Sequence, residues 1–458
     1  MPTRNEHAEA SRLDAGINAH MKPRRFGADW ADATLGDVAD FISGGTPSKE
    51  RSEYWGGSIP WVSAKDMKRF HLDDTEDHVT EAGVVNGTKI VPAGTVLLLA
   101  RGMTLLNDVP ICVANRPMTF NQDVKALRRK AAVRSDFLPY LLLGNKERLL
   151  SLVDLAGHGT GRLNSDELKA LPISLPPERE QRAIARILGT LDEKIELNRR
   201  MNETLEAIAC ALFKSWFVDF EPVRAKAERR DTGLPKAVTD LFPARLVDSQ
   251  LGEVPERWQV APLPSVIDVN PARSLRKGEI APYLDMANMP TRSHSPEEVI
   301  NRPAGSGMRF LNGDTLVARI TPCLENGKTA YVDFLEGGQV GWGSTEYIVL
   351  RPKSPLPEEF AYCLARSDKF RDFAIQSMTG SSGRQRVPAE ALAHYLLAVP
   401  SKEIAKHFGS FVRPLFARAS AAARESQTLA ALRDTLLPKL ISGAVRVKDA
   451  ESVVAMSV

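Results

Sequence analysis

Between Pro177 and Phe220 the apolar positions fall on a strict seven-residue period. Steps of four and three residues from Ile184 reach Leu188, Leu191, Ile195, Asn198, Asn202, Leu205, Ala209, Leu212 and Trp216, so the seam is polar only at its middle. Gly189 is the one glycine in the run, and no proline follows Pro177 within it. The pattern predicts a single helix of roughly 40 residues, about 60 Å long at about 1.5 Å per residue. Such a seam needs a partner helix to cover it. Helical spacing returns between Ser401 and Ile441, at Ile404, Phe408, Phe411, Leu415, Leu429, Leu432 and Leu436, and Gly443 supplies a stop signal. The packing seam is expected to use Ile184, Leu188, Leu191, Ile195, Leu205 and Leu212 from the first helix, with Phe408, Leu415, Leu429 and Leu436 from the second. Pro414 lies inside the second run, where a lost N–H and a ring clash predict a kink or break at a cost of about 3 kcal/mol.

Elsewhere short apolar runs alternate with turn chemistry. SGGTPSK at 43–49, WGGSIPW at 55–61 and KIVPAGTVLLLAR at 89–101 predict turns feeding buried strands. FLPYLLL at 137–143 reads as helix, and GHGTGRLN at 157–164 as a glycine-rich loop. The chain divides into a mobile arm (1–27), an α+β domain (28–175), a helical segment (176–221), an extended connection rich in proline and charge (222–257), a second α+β domain (258–399), a second helical segment (400–446) and a tail (447–458).

The two halves are copies of one unit. Trp30, Leu35, Val38 and Asp40 recur at identical spacing as Trp258, Leu263, Val266 and Asp268. GTVLLLAR at 94–101 returns as DTLVAR at 314–319, which sets Arg101 against Arg319. DVKALRRK at 123–130 matches EYIVLRPK at 346–353, and GTGRLN at 159–164 matches SSGRQRVP at 381–388. Collinear order of so many matches is hard to obtain by chance. The expected fold class is α+β: two α+β domains joined by two long antiparallel coiled-coil helices, with a pseudo-twofold internal repeat. Two similar heads on a stiff paired-helix rod form a ruler, and a ruler suits a target with two separated half-sites such as duplex DNA, which repeats about every 34 Å.

Charge adds a constraint. With 60 basic and 57 acidic residues the net charge is +3, so any basic surface must be local. Cys112, Cys210, Cys323 and Cys363 are far apart and form no CxxC, which points away from zinc or disulfide frameworks and toward a reducing cytoplasm. No apolar run is long enough to cross a membrane, and the acidic N-terminal residues Glu6, Glu9 and Asp14 argue against a secretory signal. Catalytic signatures are missing as well. There is no GxxxxGK phosphate loop and no HExxH, and the eight histidines lack metal spacing. Asn270-Pro271 is followed by Ala-Arg rather than by the second proline and aromatic residue of an amino-methyltransferase site. No catalytic residue and no metal ligand is assigned.

The order domain–helix–domain–helix, with SGGTPSK, IPW, LPPEREQRAIARIL, FKSWFVDFEPVRAK and the closing LRDTLLPKLISG, closely resembles the specificity subunit of type I restriction–modification systems. The resemblance runs from about Trp30 to Arg446. It implies two target-recognition domains that each read half of a bipartite sequence in double-stranded DNA. It also implies helical regions that set the spacer and dock two methyltransferase subunits, with restriction subunits joining the full complex in a bacterial or archaeal cytoplasm. S-adenosylmethionine, ATP and Mg would belong to those partners, with no cofactor in this chain. One departure is clear: the first helix begins with Glu180-Gln181, whereas the second has SKEIAKHF at that point.

For DNA reading the useful groups are loop donors: Arg or Lys to guanine, Asn or Gln to adenine, hydroxyls to phosphate. The first domain offers Thr46, Ser48, Lys49, Lys65, Lys68, Arg101 and Arg162; the second offers Arg273, Arg276, Lys277, Arg319, Arg384, Gln385 and Arg386. Trp55 and Trp61 read as packing residues. Ile187, Ile208, Phe213 and Phe217 stand off the seam and need cover from the connection, a head or another chain. The rival readings are a coiled-coil adaptor with two protein-binding heads, and a methyltransferase in its own right. Salt-sensitive duplex binding separates the adaptor from a DNA reader.

Overall fold

The computed structural model describes residues 29–155, 159–296, 298–381 and 383–455, so the arm at 1–27 lies outside the described residues. Contacts group the described chain into two compact units: residues 29–193 with 429–455, and Lys194–Thr428. The boundary falls inside both long helices rather than at their ends. Each unit therefore combines one α+β domain with a part of each helix.

In the unit 29–193 with 429–455, a five-stranded sheet has the order Ala39–Ser43, Val124–Arg129, Val96–Leu99, Ile111–Ala114, His71–Leu72. Val96–Leu99 is central and buried at every position, as an unbroken apolar run requires. Ala31–Thr34 pairs antiparallel with Pro172–Leu175, so the domain closes where the chain leaves for the first long helix. Thr34 and Asp37 form a reciprocal capping box on the short helix that follows. Glu180 and Gln181 fasten the long helix to this closure. Trp30 Nε1 donates to Glu180 Oε2 at 2.8 Å, while buried Gln181 accepts from the Arg134 N–H at 2.9 Å and donates to the carbonyls of Pro176 and Ala132. Deeper in the unit, Asp192 accepts from the Tyr140 hydroxyl at 2.8 Å and from the Arg433 guanidinium at 2.7 Å. The segment expected to be a tail is instead a helix, Val447–Ala455. Val447, Ala450 and Val454 share one face of it, the last two are buried, and Glu451 pairs with Arg186.

The unit Lys194–Thr428 repeats the scheme. Ile267–Val269, Tyr347–Pro352, Thr315–Ala318 and Thr329–Tyr331 form one sheet, and Gln259–Pro262 pairs with Leu396–Val399 as the first closure does. Matching backbone bonds fix the correspondence: Leu35 N to Leu171 O at 2.9 Å, and Leu263 N to Tyr395 O at 2.8 Å. The connection at 222–257 is not extended. It holds the helices Glu221–Ala227 and Lys236–Thr239 and a hairpin of Leu246–Ser249 with Gly252–Pro255. Val223, Val238, Phe242 and Val254 bury into the same core as Trp216 and Phe408. Those four anchors are too sparse to show a period among the prolines and charges, which is why the segment looked like a linker.

The long helices are Glu178–Phe217 and Lys402–Ile441, 40 residues each, and Gly189 does not interrupt the first. Within Lys194–Thr428 they run antiparallel. Lys194 and Asn198 meet Glu425 at 3.3 and 2.8 Å, and Trp216 packs on Phe408 with ring centroids 5.9 Å apart. Of the expected seam, Ile184, Leu188, Leu191, Phe408, Leu429 and Leu436 are buried, while Ile195, Leu205, Leu212 and Leu415 are half-buried. Asn198 and Asn202 are buried at the centre, where polar residues fix helix register at some cost in stability. Pro414 does not break the second helix. Its ring deprives the Ser410 carbonyl of a partner, but both residues face solvent, and buried Phe408, Val412 and Phe416 hold the helix on either side. Ile187, Phe213 and Phe217 are covered by the chain itself, whereas Ile208 remains 50% exposed. No helix among the described residues is long and apolar enough to cross a membrane.

Glu359 is buried on a helix of the second domain, and its one ion-pair contact among the described residues is Arg413, distant at 3.9 Å. Burial pushes its carboxyl above the ordinary glutamate range, outweighing the backbone hydrogen bond and Arg413. A raised folded-state value means the folded chain holds this proton longer than the unfolded chain. Its contribution to stability is therefore complete below the ordinary glutamate value and is lost as pH rises through the folded value. Glu359→Gln should raise the melting temperature at pH 7.5, and its advantage over wild type should vanish as pH falls toward the ordinary glutamate value. An equal difference at all pH values in calorimetry would contradict this.

Candidate nucleic-acid interface

In the first head the loop after Ala39–Ser43 is pressed onto the chain at 120–122. A Cβ on Gly44 would stand 2.1 Å from the Phe120 carbonyl oxygen, so only glycine fits there. Gly45 N–H donates to Phe120 O at 2.9 Å, Trp61 Nε1 to Gly45 O at 3.0 Å, and Trp55 Nε1 to Ser48 O at 3.1 Å. The two tryptophans meet edge to face at 5.1 Å and serve as scaffold. Ser48 and Lys49 are left exposed at the tip, and Thr46 Oγ1 donates to Gln122 Oε1 at 2.5 Å. Gln122 leads into Asp123, whose carbonyl accepts the N–H groups of Ala100 and Arg101. Arg101 in turn lies directly across from Arg162 on the paired strand Gly161–Leu163. Thr46, Arg101 and Arg162 are thus brought onto one continuous edge.

Sequence reasoning missed two residues of this edge, Gln122 and Lys125. Lys125 Nζ donates to Ser43 Oγ at 2.6 Å. Burial first, then the positive charges of Arg162, Lys169 and Lys89, lower its ammonium below the usual lysine range. The signal for Lys125 was present: it is the polar position between Val124 and Ala126 in an alternating strand.

Lys65 and Lys68 lie elsewhere. Lys65 is held between Glu76 at 3.1 Å and Asp77 at 3.0 Å. Burial would depress its ammonium, but the hydrogen bonds to these two carboxylates outweigh it and the net shift is upward. Lys68 lines a separate cavity with Arg69, Lys146, Arg433 and Leu437.

In the second head the strand registers correct one expected equivalence. Val124 pairs with Leu99, and Tyr347 with Ala318, so Ala318 occupies the place of Leu99 and Arg319 that of Ala100. Backbone bonds agree: Ala100 N to Asp123 O corresponds to Arg319 N to Glu346 O, and Leu163 N to Ala100 O corresponds to Val387 N to Arg319 O. Arg101 therefore corresponds to Ile320, and Arg162 to Arg386. DTLVAR is two residues shorter than GTVLLLAR, and a slip of one residue turns a side chain to the other face of a strand. Arg319 is accordingly half-buried, its Nε without a hydrogen-bond partner among the described residues. Arg273 is also displaced from the expected role: it points inward to Asp314 at 3.3 Å, which fully buried Asp314 shares with Arg351 at 2.9 Å. Arg276, Lys277 and Arg384 are exposed on turns. Gln385 gives its carbonyl to Thr321 N–H, and Arg386 Nε donates to both Glu346 carboxylate oxygens at 2.8 and 2.9 Å.

Comparison with known proteins agrees with this architecture. Residues 27–207 match the family described as Type I restriction modification DNA specificity domain. The chain is 28% identical over 444 residues to the type I restriction enzyme MjaIX specificity subunit of Methanocaldococcus jannaschii, covering 92% of this chain and 94% of that one. It is 24% identical over 360 residues to the HindI specificity subunit of Haemophilus influenzae, covering 68% of this chain and 78% of the relative. The fold resembles the crystal structure of a type I restriction–modification S subunit from M. genitalium, with a TM-score of 0.51 and 16% identity over 92% of this chain and 99% of that one. A repeated α+β head with a 40-residue helix after each copy, and these relationships along nearly the whole chain, make the chain similar from head to second helix to the specificity subunits of type I restriction enzymes.

Proposed function

We propose that the chain is the non-catalytic DNA-specificity subunit of a type I restriction–modification enzyme, each head reading one half of a bipartite duplex target. The observation that carries this reading is the repeated strand end. The same backbone scaffold holds Arg101 and Arg162 in one head and Arg384, Gln385 and Arg386 in the other, while the neighbouring loops diverge in sequence. A shared frame with different loops is what two different half-sites require. Methyl transfer from S-adenosylmethionine, and ATP- and Mg-dependent cleavage, would reside in methyltransferase and restriction subunits docked on this chain in the cytoplasm. Docking is supported by the uncovered helix face of Ala207, Ile208 and Ala211. The test is to assemble the chain with its methyltransferase subunits and map methylated adenines. A two-part motif with a constant gap is expected; a continuous motif, or none, removes the reading.

A further inference from the structure

The two equivalent strand ends differ in charge: one carries positive charge unpaired among the described residues and the other a closed ion pair. In the first head Arg101 and Arg162 are exposed, directly opposed across paired strands, and in no ion pair among the described residues. Like charges placed this way repel. Asp154 lies across from Arg162 on the next strand but makes no ion pair with it among the described residues. Asp123, at the adjoining turn, likewise pairs with neither arginine among them. Lys125 adds positive charge beside the pair. In the second head Ile320 replaces Arg101, and Glu346, which stands where Asp123 does, closes Arg386 in a two-oxygen ion pair.

We propose that Arg101 and Arg162 form a clamp for a DNA backbone phosphate, and that Glu346 keeps the corresponding site of the second head closed to phosphate. Two planar guanidinium groups carried by directly paired, exposed strand positions suit a phosphodiester, which would relieve their repulsion through charge-assisted hydrogen bonds. In the second head the paired position holds a single guanidinium, Arg386, already neutralised by Glu346, so it offers no such two-arginine anchor. The inference rests on the DNA-binding reading above and assigns its salt-dependent part unequally between the heads.

The test measures affinity of the full chain for a labelled duplex of random sequence against KCl concentration. Arg101→Ala/Arg162→Ala should lower the slope of log affinity against log salt by about 1–2, and Glu346→Gln should raise it by about 1, since each neutralised phosphate contributes about 0.9. The double lysine variant, Arg101→Lys/Arg162→Lys, should retain most of the wild-type slope. In the assembled methyltransferase the methylated motif should stay unchanged in Arg101→Ala/Arg162→Ala, because phosphate contacts weaken all sequences alike. A wild-type slope in either the double alanine variant or Glu346→Gln, in protein that melts like wild type, overturns the clamp. So does a changed motif. Salt-insensitive binding by the wild type would overturn the DNA-binding reading itself, and the two failures are therefore distinct.

Discussion

Asp192→Ala should destabilise the unit built from 29–193 and 429–455 by about 3–5 kcal/mol, the usual cost of stranding one member of a buried ion pair. Asp192 is 4% exposed and holds two donors at once, the Tyr140 hydroxyl and the Arg433 guanidinium. Among the described residues Arg433 then keeps Asp434 alone, which is itself mostly solvated, and buried Tyr140 keeps no acceptor. A domain commonly has a margin of about 5–15 kcal/mol, so the loss is a large fraction of it. Asp192→Asn retains an acceptor and should cost less, about 1–3 kcal/mol. Urea unfolding at neutral pH reads both values. If alanine and asparagine behave alike and shift the midpoint little, the buried network is not what ties the first head to the helix pair.

Trp216→Ala should weaken the unit Lys194–Thr428 by about 3–5 kcal/mol, through lost transfer energy and the cavity left behind. Trp216 is 1% exposed and meets Phe242 edge to face at 5.1 Å, with Phe408 and Phe411 each 5.9 Å away. Phe242 belongs to the connection and Phe408 to the second long helix, so this one indole joins three parts of the unit. Trp216→Phe keeps an aromatic ring in the cluster and should lose less. Calorimetry of the full chain measures both, and a near-neutral alanine variant would show that the cluster repacks without its centre.

The helices were legible because a seven-residue period over 40 residues leaves few alternatives, and the repeat was legible because its matches are collinear. The connection was not, since Val223, Val238, Phe242 and Val254 act through contacts distant in sequence. Pro414 illustrates the opposite error. Its local cost is real, but the exposed Ser410 carbonyl limits the damage and packing at Phe408, Val412 and Phe416 outweighs it. Among the candidate DNA residues, chemistry was readable and placement was not. Arg273 and Arg101 look alike as letters, yet one neutralises a buried carboxylate and the other stands open. Arg319 was lost by a shift of a single position, which only strand register reveals.

The make-up of the first unit has a consequence for synthesis on the ribosome. Its head and the start of the first helix, residues 29–193, are completed by 429–455, and the whole of Lys194–Thr428 is translated in between. At about 5–20 residues per second that interval lasts on the order of 10–50 seconds. Through it the apolar faces of Ile184, Leu188 and Leu191 exist without Leu429, Leu432 and Leu436. The nascent first head should therefore stay sensitive to proteolysis until 429–455 has emerged, although its own residues are made before those of Lys194–Thr428.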